Sequence, residues 1–380
     1  MCVIGAGAIG LSCAIELARR GASEVTVLEA MHLAAGSSGV SVGMIETQYL
    51  EPLDIELRVR SMHVFDKLER EYGLSVVRNG YLRVGHDEEA VEAFLRSVEI
   101  QHGLGAAEAE VLDREQVARL VPDMRVDDVS AGLFGPRDGF IDGHLYCALL
   151  AELAREAGAK LSLGCAFLGG EPRAGGGVRV STSRGEIDCD VVVDAAGPWA
   201  GIVASQLGCE LELVPQRHQA CIVHLPRELP YTMPCVVDYS PGSGRLGLYF
   251  RHDGPARLVA GWHRDEAPEL AVDPDDYARS ADQDFLETLA RELSIRLPGL
   301  DDATLAGGWA GLYPSVGTGD PVVGPLAGEL PTIVACGGGA GIQLSPVLGE
   351  LVADWALHGE PLAVAGALEL APPGAPGHVS

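Results

Sequence analysis

Lysine is almost missing from this sequence of 380 residues, which contains only Lys67 and Lys160. Arginine therefore carries nearly all of the positive charge. Lys67 lies in a segment with a helical pattern, and Lys160 stands where a strand is predicted to begin. A mechanism that needs a lysine beside its substrate has only these two candidates, and we expect neither to fill that role.

The sequence also lacks the patterns of metal sites, disulfide frameworks and membrane spans. Its nine cysteines form no Cys-x-x-Cys pair and no His/Cys cluster with the spacing of metal ligands, so we predict no metal. Cys13 and Cys336 stand in apolar contexts typical of small buried residues. Free thiols in this number predict a cytoplasmic protein. Glycines, Gln343 and Pro346 interrupt the last apolar run that could span a membrane.

Positive charge is scarce overall, because 54 acidic residues face 27 basic ones and the net charge is −27. Nucleic acid and anionic membrane surfaces would repel such a chain, so both are excluded as partners. With 47% hydrophobic residues the chain has an ordinary globular composition. At this length it is expected to fold as two interleaved domains.

The first ten residues have the pattern of a turn that binds a dinucleotide. A short apolar strand at residues 2–4 leads into GAGAIG at residues 5–10, and a helix follows. Gly5 permits the tight turn, Gly7 lets the backbone approach a pyrophosphate, and Gly10 lets the helix pack closely on the strand. The first helical N–H groups point at the phosphates.

A second strand, at residues 24–28, ends at Glu29, nineteen residues after Gly10. An acid at this place can accept hydrogen bonds from the ribose hydroxyls. The motif alone does not separate FAD from NAD. The small-residue loop at residues 34–41 (AAGSSGVS) favours FAD, because such a loop can wrap a diphosphate and pass under a bulky ring.

Three further segments extend this pattern along the whole chain: DVVVDAAGPWA at 190–200, WAGLYP at 309–314 followed by TGDPVVG at 318–324, and GGGAGIQLSP at 337–346. Together with the first forty residues, they resemble the D-amino-acid-oxidase-like family of FAD-dependent oxidoreductases. This family includes enzymes that oxidise sarcosine, glycine and proline. The segments occur in the family's order, which makes the resemblance highly specific.

The resemblance implies an α/β fold (α+β overall), with a Rossmann-like FAD-binding domain and an interleaved substrate domain built on an antiparallel sheet. It implies that the FAD-binding domain comprises 1–77, 139–213 and 318–380, and the substrate domain 78–138 and 214–317. The local sequence predicts a helix at 143–157 capped by Asp142. It predicts strands at 214–225, 246–252 and 256–262.

The resemblance also implies which residues hold FAD. They are Gly5, Gly7, Ala8, Ile9, Gly10, Glu29, Ala30, Gly36, Ser37, Ser38, Phe167, Ala196, Gly197, Trp199, Gly311, Gly339, Ala340, Gly341, Ile342 and Gln343. Some relatives attach FAD covalently, through a histidine in the small-residue loop or a cysteine before the Tyr-Pro pair. Here these places hold Ser37-Ser38-Gly39 and Gly311, so the FAD is predicted to be non-covalent.

By the same resemblance, Tyr249, Arg251, His263, Tyr313 and Gln343 are candidates to face the substrate. Each aromatic candidate has a plain alternative role in packing. Arg217 and His218 stand close to them in the sequence, and a surface or inter-domain ion pair is as good an account of Arg217.

Two positions depart from the amino-acid-oxidising relatives, in which an arginine and a second cation grip the substrate carboxylate. Here these positions hold Glu46 and Gln343. Because carboxylate capture needs an arginine fork or a comparable cation, either Arg251 or Arg217 takes over, or the substrate is not a simple α-amino acid. We expect Glu46 near the mouth of the pocket, where it would favour a cationic amine.

A third departure concerns oxygen. Sarcosine-oxidase-like relatives hold a lysine beside the flavin, and Val259 occupies that place here. A fixed positive charge favours the formation of superoxide, so its loss is expected to slow oxidation by O₂. A dehydrogenase that uses another electron acceptor or a partner subunit is therefore as good an expectation as an oxidase, although an arginine or histidine could supply the charge instead.

The function that these residues predict is removal of a hydride from the carbon next to nitrogen, in a small amine, an N-alkyl amino acid or a cyclic imino acid. One alternative is an FAD-dependent 2-hydroxy-acid dehydrogenase. Another is a flavoprotein without turnover that serves as an assembly subunit.

Overall fold

The computed structural model describes residues 1–239, 245–263, 271–300, 302–317, 319, 321–364 and 366–372. Two large sheets dominate this part of the chain. Its strands are β1 Cys2–Ile4, β2 Thr26–Glu29, β3 Met44–Ile45, β4 Val76–Val77, β5 Tyr81–Gly85, β6 Glu110–Leu112, β7 Ala131–Gly135, β8 Gly139–Ile141, β9 Lys160–Leu163, β10 Phe167–Pro172, β11 Val178–Thr182, β12 Gly185–Cys189, β13 Val192–Asp194, β14 Leu213–His224, β15 Cys235–Asp238, β16 Gly247–His252, β17 Arg257–His263, β18 Thr304–Val316, β19 Val322–Pro325 and β20 Thr332–Cys336.

The helices in the same ranges are α1 Ala8–Arg19, α2 Ser37–Val40, α3 Pro52–Tyr72, α4 Glu88–Gly103, α5 Arg114–Leu120, α6 Gly143–Glu156, α7 Ala200–Gln206, α8 Gln283–Arg296 and α9 Gly341–His358. Short 3₁₀ turns precede α7 and α9, at Gly197–Trp199 and Gly338–Ala340. No helix in the described part of the chain is long and apolar enough to cross a bilayer.

The first sheet has the strand order β19-β20-β13-β1-β2-β9. All neighbours in it are parallel except β19, which runs antiparallel to β20 at the edge. Successive side chains of a strand point to opposite faces, and both faces of β1 are covered. Val3 packs into the core formed with α1, α6 and α9, while Cys2 and Ile4 pack into the core on the other side.

The second sheet has the order β18-β14-β17-β16-β15-β5-β7-β6 and is antiparallel except between β15 and β5. One of its faces packs on α8 through a core that includes Phe250, Leu258, Phe285 and Leu289. The opposite face carries Tyr249 and His218 and turns toward the first sheet. The space between the two sheets is where a ligand can lie.

The expectations about fold class are confirmed, since a Rossmann-like parallel sheet and an antiparallel sheet are both present. Helix α6 begins after Asp142, whose carboxylate accepts a hydrogen bond from the Leu145 N–H at 2.8 Å. The three predicted strands match β14, β16 and β17 to within one residue at each end. The division into two discontinuous domains stays a prediction, and Thr318 and Asp320 of the TGDPVVG segment lie outside the described residues.

A carboxyl group lies in the core at the end of β13. Asp194 is 0% exposed, and its Oδ1 accepts a hydrogen bond of 3.1 Å from the Ala196 N–H. Burial raises the pKa of this carboxyl to about 8, against the lowering effect of that bond. Asp194 is therefore neutral at pH 7, directly beneath the turn that follows β13.

Asp194→Asn should change how stability depends on pH. From about pH 3.8 to about pH 8, the unfolded chain has lost this proton and the folded chain keeps it, so the wild type loses stability as pH rises. The variant lacks this loss. Its free energy of unfolding, relative to the wild type, should rise by about 1.4 kcal/mol per pH unit in that window, as measured by urea unfolding.

The matched control is Asp190→Asn, because Asp190 is exposed just before β13 and its ion pair with Arg173, at 2.8 Å, lies at the surface, where such pairs contribute only about 0–1 kcal/mol. Its unfolding free energy should follow the wild-type pH profile. If the Asp194→Asn profile also runs parallel to the wild type, Asp194 is ionised in the folded protein and the argument fails.

Candidate active site

A cavity of about 490 Å³ lies between the two sheets. This volume is within the range of about 300–1,000 Å³ typical of cofactor and ligand sites. Its wall includes Ile4, Glu29, Ala195 and Gly337, which stand at or just beyond the carboxyl ends of β1, β2, β13 and β20. Ligands of open α/β sheets bind outside these strand ends.

One end of the cavity is built by the turn between β1 and α1. Gly5 has φ +106°, a conformation that side chains rarely adopt, and a Cβ on Gly10 would overlap the Gly5 carbonyl oxygen. The turn therefore depends on glycine at both places. It brings Gly7, Ala8 and Ile9 to the cavity wall, where the N–H groups of the first turn of α1 favour an anion.

Glu29 stands at the same end, on the cavity wall. Its Oε2 accepts a hydrogen bond of 3.0 Å from the Ala6 N–H, and its Oε1 accepts one of 2.8 Å from the Met31 N–H. These two bonds fix the carboxylate. Opposite it, the Trp199 ring packs on Gly36, and the Trp199 indole donates to Asp275 Oδ1 at 2.8 Å.

Helix α2 joins the two halves of the cavity. The Ser38 hydroxyl accepts a hydrogen bond from the Ala8 N–H at 3.1 Å, which ties α2 to α1. Ser37 Oγ donates to the Leu312 carbonyl at 2.6 Å, and the Trp309 indole donates to the Val40 carbonyl at 2.8 Å. The small-residue loop is thus fixed between the glycine turn and β18.

The residues present fit FAD. The glycine turn leaves no Cβ in the way of a diphosphate, the helix N-terminus favours its charge, and Glu29 stands where a ribose can reach it. Of the residues assigned to the cofactor from sequence, all line the cavity except Gly10, Ala340 and Gln343. Gly10 acts from behind the wall, through its contact with Gly5.

The far end of the cavity is walled by β14, β16 and β18. Tyr313 lies against Gly339, and the ring of His218 stacks on Tyr313 at 3.7 Å between centroids. Tyr249 donates its hydroxyl hydrogen to the Gln219 carbonyl at 3.2 Å. Burial, with His263 nearby, lowers the pKa of His218 to about 3, so its imidazole is uncharged at neutral pH.

Gln343 and Glu46 are not where the sequence suggested. Neither is among the cavity-lining residues. The Gln343 side chain pairs with the backbone of residue 46: its Oε1 accepts from the Glu46 N–H at 2.7 Å, and its Nε2 donates to the Glu46 carbonyl at 2.9 Å. The amide thereby joins the first turn of α9 to the chain that follows the small-residue loop.

The Glu46 carboxylate is buried, with 6% of the residue exposed, and does not stand at a pocket mouth. Its Oε1 lies 3.4 Å from Nε of Arg58, on α3. Burial raises the pKa of Glu46, although the charges of Arg58 and Arg83 oppose the rise. Glu46 belongs to a buried polar cluster between α3 and β5, so its expected position at the mouth of the pocket was wrong.

Arg251 and His263 lie on the same face of the sheet as Tyr249, but neither lines the cavity. Arg251 stacks on Phe140 at 3.8 Å and donates to the Val42 carbonyl at 2.9 Å and to Asp253 at 2.8 Å. The ring of His263 packs edge-on against Tyr239 at 4.9 Å. Of the six residues predicted to face substrate, only Tyr249 and Tyr313 line the cavity.

Other lining residues were not singled out from sequence. They include Val42, Gln219, Ala220, Asp275 and Trp309, whereas His218, which the sequence placed with Arg217 near the candidates, also lines the cavity. The strand register could have found some of them, because Trp309 is paired with Ala220 and Gly311 with His218, and paired residues share a face. Asp275 stands in a loop, where no periodic pattern marks it.

Comparison with known proteins agrees with this geometry. The family model DAO, described as FAD dependent oxidoreductase, matches residues 1–355. The chain is 30% identical to the mitochondrial dimethylglycine dehydrogenase of Rattus norvegicus, over 94% of this chain and 43% of that protein. It is 28% identical to the mitochondrial sarcosine dehydrogenase of Homo sapiens, over 94% of this chain and 40% of that protein.

The chain thus spans about two fifths of the length of these curated relatives. Among solved structures, the L-proline dehydrogenase from P. horikoshii superposes with a TM-score of 0.83 and 26% identity. That match covers 94% of this chain and 93% of the other.

Gln343→Leu should destabilise the protein. Leucine has a similar size but leaves the N–H and C=O of Glu46 buried without their partner, at about 1–3 kcal/mol for each group. The free energy of unfolding should fall by about 2–6 kcal/mol in urea titrations. Gln283→Leu, on the exposed face of α8, is the control and should stay within about 0.5 kcal/mol. An equally small loss for Gln343→Leu would contradict the pairing.

Proposed function

The chain belongs to the DAO family of FAD-dependent oxidoreductases, and we propose that it oxidises a small amine, an N-alkyl amino acid or a cyclic imino acid. In this reaction a hydride leaves the carbon next to nitrogen. The substrates named for relatives, such as dimethylglycine, sarcosine and proline, support this substrate class. Since the chain spans only part of the first two, their whole activities are not transferred to it.

One observation carries this proposal: a single cavity runs from the glycine turn and Glu29 to the aromatic side chains of Tyr249 and Tyr313 on the second sheet. Helix α2 fixes the FAD end of the cavity relative to these side chains, because it is hydrogen-bonded to both α1 and β18. A small organic molecule bound against Tyr249 and Tyr313 would therefore share one enclosed space with the cofactor.

When bound, FAD supplies the hydride acceptor, and the protein supplies position and field. The N-terminus of α1 and Glu29 would hold the nucleotide. The turn at Gly337–Gly341 and α2 would enclose the ring end, because both line the cavity beside Tyr313. Tyr249, Tyr313 and the uncharged His218 form the surface against which a substrate is oriented, and the packed sheet that carries them closes this side of the cavity.

We propose that FAD is bound without a covalent link. Gly39 faces His144 and the Ala34 carbonyl, so a side chain at this position would meet protein and not the cavity. Gly311 lines the cavity against Val40 and has no side chain to offer.

Acid precipitation should therefore release the flavin. The protein pellet should be colourless and the supernatant yellow, as measured by visible absorbance of both fractions, because a non-covalent cofactor is lost when the fold is lost. Colour that stays with the pellet after washing would show a covalent flavin and contradict this account.

The electron acceptor is proposed to be something other than O₂, either a small molecule or a partner protein. Val259, which replaces the lysine of oxidase-type relatives, is 2% exposed and is paired with Arg251 on β16. The charge of Arg251 is in turn paired with Asp253. The weak positive field that remains supports slow reaction with O₂.

An anaerobic panel tests both the reaction and the acceptor. Sarcosine, dimethylglycine, proline, simple N-methyl amines and 2-hydroxy acids are mixed in turn with the oxidised protein, and loss of visible flavin absorbance is followed. At least one amine should bleach the flavin, and the reduced protein should reoxidise with a dye much faster than in air. Val259→Lys should speed reoxidation in air relative to Val259→Met.

Bleaching by hydroxy acids alone would overturn the amine assignment, and bleaching by none would favour a flavoprotein without turnover. Peroxide production in air as fast as dye reduction would overturn the acceptor assignment.

We further propose a reducing compartment such as the cytoplasm, supported by nine free cysteines, all buried.

A further inference from the structure

The substrate end of the cavity is lined by aromatic side chains. Trp309 on β18 is paired with Ala220 on β14, and Tyr249 on β16 is paired with Gly261 on β17. Trp309, Ala220 and Tyr249 all line the cavity. The hydroxyl of Tyr249 lies over Gly261, in space that a Cβ would fill. The Tyr249 ring thus covers Gly261, and Ala220 is a small lining residue between Tyr249 and Trp309.

A second pair of rings closes this space toward the glycine turn before α9. His218 lies two residues before Ala220 on β14 and so faces the same side of the sheet. It is paired with Gly311 on β18 and stacks on Tyr313. Tyr313 rests on Gly339. We call Trp309, Tyr249, His218 and Tyr313 the aromatic wall. Because His218 is uncharged near neutral pH, the wall carries no positive charge there.

Two nearby arginines within the described residues, Arg217 and Arg251, are bound by carboxylates elsewhere. Arg217 Nη1 lies 2.6 Å from Asp282, and the same guanidinium donates to the carbonyls of Ala278 and Ser280. Arg251 Nη1 lies 2.8 Å from Asp253, and the guanidinium is covered by Phe140. Neither lines the cavity. Capture of a substrate carboxylate by either would require breaking these contacts.

Aromatic faces attract alkylated ammonium groups through the ring quadrupole and through contact with the methyl groups. A carboxylate, by contrast, needs an arginine fork or a comparable cation. The chemistry of this wall thus matches the nitrogen end of a substrate and not its acid end.

We propose that the aromatic wall binds the alkylated nitrogen of a secondary or tertiary amine, and that a free carboxylate contributes little to its affinity. This inference rests on the proposed amine oxidation and narrows its substrate class. In the proposed binding mode the substrate is fixed through its nitrogen, and not by a salt bridge to its acid group.

Tetramethylammonium is a suitable probe, because it is an alkylated cation that has no carboxylate and no hydrogen next to nitrogen that is readily removed as a hydride. It is titrated into the oxidised holoprotein while the visible flavin spectrum is recorded, with sodium acetate at the same ionic strength as the comparison. Tetramethylammonium should perturb the spectrum with saturation, and acetate should not. The opposite pattern would overturn the proposal.

Matched substitutions at two of the four wall residues, Trp309 and Tyr249, separate the effect of the ring from that of its hydrogen bond. Trp309→Leu and Trp309→Phe both lose the bond to Val40, but only the leucine loses the aromatic face. Tyr249→Leu and Tyr249→Phe both lose the bond to Gln219 in the same way. Each leucine variant should bind tetramethylammonium about threefold to thirtyfold more weakly than its phenylalanine partner.

Trp262→Leu is the control, because Trp262 faces the opposite side of the sheet and stacks on Phe285. It should bind the probe like the wild type. FAD affinity is measured for every variant by flavin release. Equal probe affinity in the leucine and phenylalanine variants, or weaker FAD binding with unchanged probe binding, would show that the rings contact the cofactor and would overturn the proposal.

A second comparison uses N-methylglycine and its amide, which differ in the carboxylate alone. Under anaerobic conditions the amide should reduce the flavin with an apparent affinity within about threefold of the acid. A preference for the acid of tenfold or more would overturn the proposal. If no amine reduces the flavin while tetramethylammonium still binds through the rings, the proposed oxidation fails and the alkylammonium site remains.

Discussion

The pairing of β14 with β18 is the interaction on which the rest of the site depends. Its register runs from Leu213 opposite Val316 to His224 opposite Thr304, along nearly the full length of both strands. Strand β14 follows α7 closely, and β18 leads toward β19, so the pair connects the two large sheets. Its register decides which residues face the cavity, because a slip of one residue would turn Trp309, His218 and Tyr313 to the other side.

The nucleotide end was predictable from sequence because its determinants are local. Gly5, Gly7 and Gly10 lie within six residues of one another, and Glu29 is separated from them by one helix. A backbone turn of this kind depends on a few φ and ψ angles and on close approach, and both are properties of glycine itself. Seventeen of the twenty residues assigned to the cofactor from sequence consequently line the cavity.

The substrate end was less predictable, because the positions of its side chains depend on contacts between distant segments. Gln343 and Glu46 are 297 residues apart, and only the folded chain shows that the side chain of one pairs with the backbone of the other. Arg251 stands on the expected face of its strand, yet Val42 and Phe140 cover it. A motif indicates where a residue stands along the chain, and packing decides what lies in front of it.

The cavity has a consequence for how the protein is made. Its wall begins with Ile4 and ends with Ile342, so residues synthesised early and late meet around the same space. During translation, β1 and α1 leave the ribosome long before β20 and the Gly337–Gly341 turn. Domains fold as units once their chain is complete, so a nascent chain has no closed cradle for a dinucleotide. A closed cradle for the nucleotide therefore forms only after the Gly337–Gly341 turn has been synthesised, and binding of the flavin follows that point of translation.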